Sequence, residues 1–355
     1  MRSRPAADAA LHVVVPYGAN GSSARVRAFD WLDHTGVRAQ VHDYLGLPAN
    51  TPAAVLRDPL AALRAEAHLW RLSARVGRDT VFLVREASPF SRGHAEAAIL
   101  RRAARAVYDF DDALMVQAPG LVERVFSKKT TWRRCIDQAD VVIAGNELLA
   151  EAAASAGARD VRLIPSCVEP DAYRRKVDYA RSGPPRAVWL GSPTTENYLD
   201  AVQNPLLDAH RTSGLRLSVI SAGDRSLGAL DVMVDRIAWT PTANDRLADH
   251  DFGIMPLPDD LWSRGKCAYK LLQYGAAGLP MIGAPVGANR AALAVMGGFA
   301  ASQGDEWRDA LATLAIMASD RLADLGRTAR EGVAKHYSFG VWTSAWLDAV
   351  CGEHG

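Results

Sequence analysis

At 355 residues the chain is longer than one hydrophobic core usually fills, so two domains are expected. A formal net charge of +1 argues against an electrostatic grip on nucleic acid, which needs a concentrated basic surface, and no apolar run approaches the roughly 20 residues of a membrane span. Four cysteines, Cys135, Cys167, Cys267 and Cys351, stand far apart without paired spacing, so neither a zinc site nor a disulfide framework is expected, and a cytoplasmic location is.

Strand-length apolar bursts alternate with helical periodicity from end to end, which predicts parallel sheets covered by helices on both faces. In the first half, strands are expected at 11–16, 37–42, 80–85, 106–109, 140–144 and 161–164, with helices at about 23–34, 60–76, 93–104, 123–138 and 146–156. Leu11 to Val15 is too brief for a signal sequence and leads into a glycine turn, so it reads as the first strand. That turn, Gly18-Ala-Asn-Gly21-Ser22, opens a helix carrying Arg25 and Arg27. Its glycines serve either tight-turn geometry or the close approach of a ligand to the backbone. Arg64, Arg71, Arg75, Arg101, Arg102 and Arg105 give two helices a basic tone, fitting either a solvated face or weak contact with an anionic membrane surface.

Arg85 and Glu86 end one strand; Asp109, Asp111 and Asp112 end the next. Three carboxylates within four residues repel one another, so burial raises at least one pKa unless cations or hydrogen-bond donors intervene. They read as a helix N-cap, as an Asp-X-Asp metal pair at Asp109 and Asp111, or as the lining of a pocket. Asn146 and Glu147 suit the start of a helix, one as N-cap and the other as an anion against the dipole.

Val168 to Pro185 has the composition of a linker, with Pro170, a charge cluster at Arg174, Arg175, Lys176 and Asp178, and Arg181-Ser-Gly-Pro-Pro185. Strands follow near 186–190, 215–220, 236–239, 251–255, 280–284 and 298–301. Between the last three, a helix is predicted over 266–277, with Ser263 or Gly265 as N-cap and Gly278 and Pro280 as stop signals. Lys266 then falls in the first turn and Lys270 four residues on, where the macrodipole and like-charge repulsion both disfavour cations; a bound diphosphate would remove both penalties. Phe339, Val341, Trp342, Trp346 and Leu347 are spaced for a final amphipathic helix. No P-loop, Gly-X-Ser-X-Gly elbow or His-Glu-X-X-His motif is present.

The run from Asp251 to Asn289 resembles the donor-binding segment of family 4 glycosyltransferases of the GT-B fold. Gly21-Ser-Ser-Ala-Arg25-Val-Arg27, Tyr108-Asp-Phe-Asp-Asp-Ala-Leu114, Val142-Ile-Ala-Gly-Asn-Glu-Leu-Leu149, Ile164-Pro165 and Trp189-Leu-Gly-Ser-Pro193 resemble other stretches of that family in matching order. The resemblance implies an α/β GT-B fold: two Rossmann-like domains with parallel sheets facing each other across a cleft, at 1–170 (acceptor) and 185–336 (donor). A C-terminal helix at 337–355 would cross back to the first domain.

It implies retaining, metal-independent transfer of a sugar from a nucleoside diphosphate sugar of UDP or GDP type, with no cofactor, by a monomer or homodimer acting on a small metabolite or glycan. Carried onto this chain, the catalytic groups are Lys270, Lys266, Glu86 and Asp111. Donor contacts are Gly21, Ser22, Gly191, Ser192, Trp239, Thr240, Gly265, Lys266, Cys267, Ala268, Lys270 and Gln273, and acceptor contacts are Arg25, Arg27, Arg85, Asp109, Asp112 and Asn146. Two departures stand out. Gly265 and Gln273 occupy the positions of a glutamate pair common in the family, and Ser192 to Thr195 follow Gly191 where an Arg and a Lys are frequent. The alternatives are a catalytically silent sugar-nucleotide-binding protein and a single-domain, metal-dependent GT-A enzyme using Asp109 and Asp111.

Overall fold

The computed structural model describes residues 9–47, 55, 57–116 and 124–352. Two compact units emerge: Met1–Ser166 with Gly265–Cys267 and Trp342–Gly355, and Cys167–Arg264 with Ala268–Val341.

The first unit is built on six parallel strands: β1 (Leu11–Val15), β2 (Gln40–Asp43), β3 (Thr80–Val84), β4 (Arg105–Phe110), β5 (Val141–Ala144) and β6 (Val161–Leu163). Their order is β2-β1-β3-β4-β5-β6. β1, β3 and β5 are buried along their whole length, as strands covered on both faces must be, whereas the edge strands β2 and β6 are largely exposed. The helices are α1 (Ser22–Ala24), α2 (Asp30–Thr35), α3 (Pro59–Arg75), α4 (His94–Arg102), α5 (Lys128–Gln138) and α6 (Glu147–Ser155). Asp58, Ser127 and Asn146 cap α3, α5 and α6 by accepting a hydrogen bond from a first-turn amide. The expected helix at 23–34 is interrupted by a π-helical turn, Arg25–Phe29, that turns Arg27 into the interior. The helix expected at 123–138 is regular over Lys128–Gln138, and residue 123 lies outside the described residues.

The second unit also has six parallel strands: β7 (Arg186–Leu190), β8 (Arg216–Ser221), β9 (Val234–Ala238), β10 (Phe252–Met255), β11 (Met281–Gly283) and β12 (Phe299–Ala300), in the order β12-β11-β10-β7-β8-β9. Its helices are α7 (Gln203–Ser213), α8 (Leu261–Arg264), α9 (Tyr269–Ala276), α10 (Asn289–Met296), α11 (Gly304–Ile316) and α12 (Ser319–His336).

Three expectations need correction. The helix expected over 266–277 is broken. α8 ends at Arg264, and α9 starts only after Ala268, whose φ of 57° is left-handed and incompatible with a continuing α-helix. Lys266 is therefore in neither helix, and Lys270 alone sits in a first turn. The expected linker at 168–185 is a packed part of the second unit. Tyr173 and Tyr179 are buried, the Tyr179 hydroxyl donates to the Gly278 carbonyl at 2.6 Å, and Arg181 donates to the carbonyls of Leu314 and Ala315 at 2.7 Å each. Finally, two full parallel sheets overturn the single-domain GT-A alternative.

The last helix, α13 (Phe339–Cys351), carries Trp346 into the first unit, where it stacks on Trp31 at 5.2 Å and meets Phe82 edge-on at 5.8 Å. Arg105 donates to the carbonyls of Asp348 and Ala349 at 3.0 and 2.8 Å, satisfying acceptors that a helix C-terminus leaves open. Arg105 is thus committed to a structural bond and does not contribute to a basic surface.

Candidate functional site

Ligands of open α/β sheets collect at the carboxyl ends of strands where the strand order reverses. In the first unit the reversal lies at β1, flanked by β2 and β3; in the second it lies between β7 and β10. Each point carries a cluster of charged or polar groups.

In the first unit the centre of the cluster is Arg85, immediately after β3. Its φ of 61° is a conformation that non-glycine residues rarely adopt and that persists only where the surroundings enforce it. Its amide donates to the Asp109 carbonyl at 2.8 Å. The buried guanidinium donates from Nη1 to Ser23 Oγ at 3.0 Å and to Asp112 Oδ2 at 2.5 Å, and lies 3.6 Å from both Asp111 Oδ1 and Glu86 Oε2. Lys128 reaches Glu86 Oε1 at 3.4 Å, and Lys266 reaches Asp112 Oδ1 at 3.3 Å.

These cations decide which acid stays ionised. Burial would raise Asp112, but Arg85 and Lys266 hold it below the usual carboxylate range. Burial is likewise outweighed at Glu86 by Arg85 and Lys128. Asp111 goes the other way, raised by burial and by the neighbouring Asp112 charge. Tyr17, half-buried after β1, is raised by burial and then by Glu86. Glu86 Oε2, Arg85 Nε and Asp111 Oδ1 are buried atoms that meet across the cluster only as ion pairs at 3.6 Å, longer than a hydrogen bond.

Two expected acceptor residues do not fit that role. Arg27 donates to Asp109 through Nε at 2.9 Å and Nη2 at 2.6 Å, and both side chains are only 1% exposed. Burial pushes the Asp109 carboxyl up to about 6 even against Arg27, and neither group reaches a ligand without opening the core. The Asp109 and Asp111 metal pair is thereby split. Among the described residues no group of three or more His, Cys, Asp or Glu is arranged to hold a metal. Arg25 lies half-buried in the π turn. Gly21 has an ordinary φ of −79° at the start of α1, with Ser22 exposed beside it. The glycine requirement in that turn falls on Gly18, where a Cβ would sit 2.5 Å from the Gly46 carbonyl oxygen.

Gly265, Lys266 and Cys267 belong to the first unit. A Cβ on Gly265 would meet Ala113 at 2.6 Å, and the Cys267 thiol donates to the Asp111 carbonyl at 3.4 Å while burial raises its pKa. Asn146 caps α6 and also donates to the Lys266 carbonyl at 3.1 Å, so its side chain is occupied at both ends.

In the second unit Gly191 follows β7. A Cβ there would lie 2.4 Å from Trp189 and 2.8 Å from Lys270 Cε, so the Lys270 stem crosses directly over the glycine. Lys270 Nζ stands 5.4 Å from the Trp189 ring centroid, within cation–π range, and the hydroxyls of Ser192, Thr194 and Thr195 are linked beside it. Ala268 precedes α9. Gln273 is buried and donates to Asn244 Oδ1 at 2.9 Å. Trp239, half-buried, and Thr240, exposed, leave β9.

Several members of these clusters have no sequence signal. Glu196, fully buried, is held by two bonds from Arg236 at 3.1 Å each and by Arg225 at 3.7 Å, bracing the loop after β8. Ser23, Lys128 and Asn244 likewise gain their partners only through the fold. Tyr17 and Ser23 flank the first glycine turn, which is the local signal that marks either of them.

No protein-family model matches the sequence, and no curated protein matches it. Solved structures do match. HepE from Anabaena, in complex with UDP and glucose, is 14% identical over 97% of this chain and 100% of its own, with a TM-score of 0.65. The lipopolysaccharide outer core galactosyltransferase WaaB is 13% identical over 96% and 99%, with a TM-score of 0.61. A UDP-forming α,α-trehalose-phosphate synthase from Burkholderia xenovorans is 12% identical over 97% and 99%, with a TM-score of 0.62. Spanning nearly the whole of each, the chain has the GT-B fold of these glycosyltransferases, two six-stranded parallel α/β units.

Proposed function

We propose that the protein is a metal-independent, retaining glycosyltransferase that takes its sugar from a nucleoside diphosphate sugar. The observation that carries this reading is Lys270, whose stem crosses Gly191 at the strand-order reversal of the second sheet. A cation in the first turn of α9 is disfavoured by the helix dipole, and a diphosphate there would offset that cost. UDP in the HepE structure supports the same donor class.

In the reaction the bond from the anomeric carbon to the diphosphate breaks, and the acceptor oxygen forms its bond on the same face. The acceptor proton passes to the leaving diphosphate. Lys270 stabilises the leaving charge, a preorganised electrostatic role. The acceptor is a hydroxyl-bearing small metabolite or glycan, and within the first unit Arg85, Glu86, Asp111 and Asp112 offer the charged groups suited to bind hydroxyls.

Titrating the full chain with UDP and GDP by calorimetry tests the reading, followed by Lys270→Ala. Saturable binding lost on substitution supports it; equal binding by both proteins defeats it. Gln273 bonded to Asn244, with no carboxylate at its position, favours a second reading in which the protein binds the donor without transferring. Nucleotide binding without any donor hydrolysis or transfer would select that alternative.

A further inference from the structure

The outer side of α3 combines large apolar side chains with arginines in a pattern that neither the sheet nor the proposed chemistry uses. Leu60 and Leu63 are 64% and 66% exposed and Trp70 is 51% exposed, while Arg64, Arg71 and Arg75 are exposed beside them. At about 100° per residue, Trp70, Leu63 and Leu60 share an arc of roughly 80°, and Arg71, Arg64 and Arg75 occupy roughly the next 60°. The only acid on the helix, Glu66, lies about 40° from Trp70, on the side away from the arginines, and is engaged by the Tyr44 and Ser88 hydroxyls at 2.9 and 2.5 Å. The opposite side, including Leu69 and Leu72, is buried in the core.

We propose that this face of α3 docks the protein onto an anionic lipid bilayer. An amphipathic helix lying in the bilayer surface has this composition, with Leu and Trp entering the interface and guanidinium groups meeting lipid phosphates. Charge complementarity selects the occupant: a second copy packed on the same face would set three arginines against three arginines, whereas an anionic surface neutralises them. No helix among the described residues is long and apolar enough to cross a membrane. The inference does not depend on the proposed sugar transfer, because it is read from binding alone.

The test is flotation of the full chain with vesicles of phosphatidylcholine alone and with about one third phosphatidylglycerol, at about 0.1 M and about 0.5 M salt. Partitioning about 10-fold stronger onto the anionic vesicles and weakened by salt is expected; Leu63→Ser with Trp70→Ser, and Arg64→Glu with Arg71→Glu, should each reduce it about 10-fold at unchanged circular dichroism. Equal partitioning onto both vesicle types, or variants that bind like the parent, would overturn the proposal. So would a dimer in sedimentation velocity that the Trp70→Ser variant abolishes while no vesicle binding occurs. Should a variant unfold, the lipid and salt comparisons on the unaltered chain decide the matter.

Discussion

Arg27 and Asp109 form a two-bonded ion pair in the interior of the first unit, and Arg27 spends a further bond on the Ile164 carbonyl at 3.0 Å. Residues 82 positions apart are thereby locked across the helix following β1 and the end of β4. Removing one partner strands a buried charge, so Asp109→Asn should cost roughly 3–5 kcal/mol in urea unfolding. Replacing both by apolar residues of similar volume should recover most of that loss. A single variant within about 1 kcal/mol of the parent would show that the pair is dispensable.

Lys266 and Lys270 should respond differently to substitution. Lys270→Ala is expected to weaken nucleoside diphosphate binding by at least about 10-fold with little loss of stability, since a cation–π contact contributes only about 0.5–1 kcal/mol. Lys266→Ala removes a partner of Asp112, so the Asp112 pKa should rise. Side-chain carboxyl titration by NMR and calorimetric binding check the two halves; identical binding losses in both variants would contradict the distinction.

Gly191→Ala places a methyl group 2.4 Å from Trp189 and 2.8 Å from Lys270 Cε. The lysine stem must move, so nucleotide binding should fall along with roughly 1–3 kcal/mol of stability from overpacking. Retained affinity in isothermal titration would indicate that the ligand does not use this position.

His42 and His250 give the fold a predictable acid sensitivity. Burial, then His12 and His68, lowers His42 to about 4; burial, then Arg186, lowers His250 to about 4. Each depressed histidine is neutral in the folded state, so its full stability is present above the unfolded value of about 6.5 and is lost as pH falls toward 4. The expected loss is roughly 1–3 kcal/mol per residue, read as a fall in the urea midpoint between pH 7 and pH 4.5. His42→Gln should flatten that slope in part; an unaltered slope in both His42→Gln and His250→Gln would discount the histidines.

Strand positions and sheet class were legible because buried parallel strands are continuous apolar runs, as in Val141–Ala144, and helix starts were legible where a cap such as Asn146 is local. Lys266 and Lys270 were misread as one helix face because a single left-handed residue, Ala268, breaks the helix, and alanine carries no sequence signal for that conformation. The Arg85 conformation was invisible for the same reason.

The sequence by itself determined the alternation of strands and helices, the second-half crossover segment and the gathering of charged residues at strand ends, since periodicity and capping act over a few neighbouring positions. Only the tertiary structure decided which charges neutralise each other. Arg27 finds Asp109 and Glu196 finds Arg236 across separations of 82 and 40 residues, distances at which pairing depends on strand order and burial rather than on any local pattern.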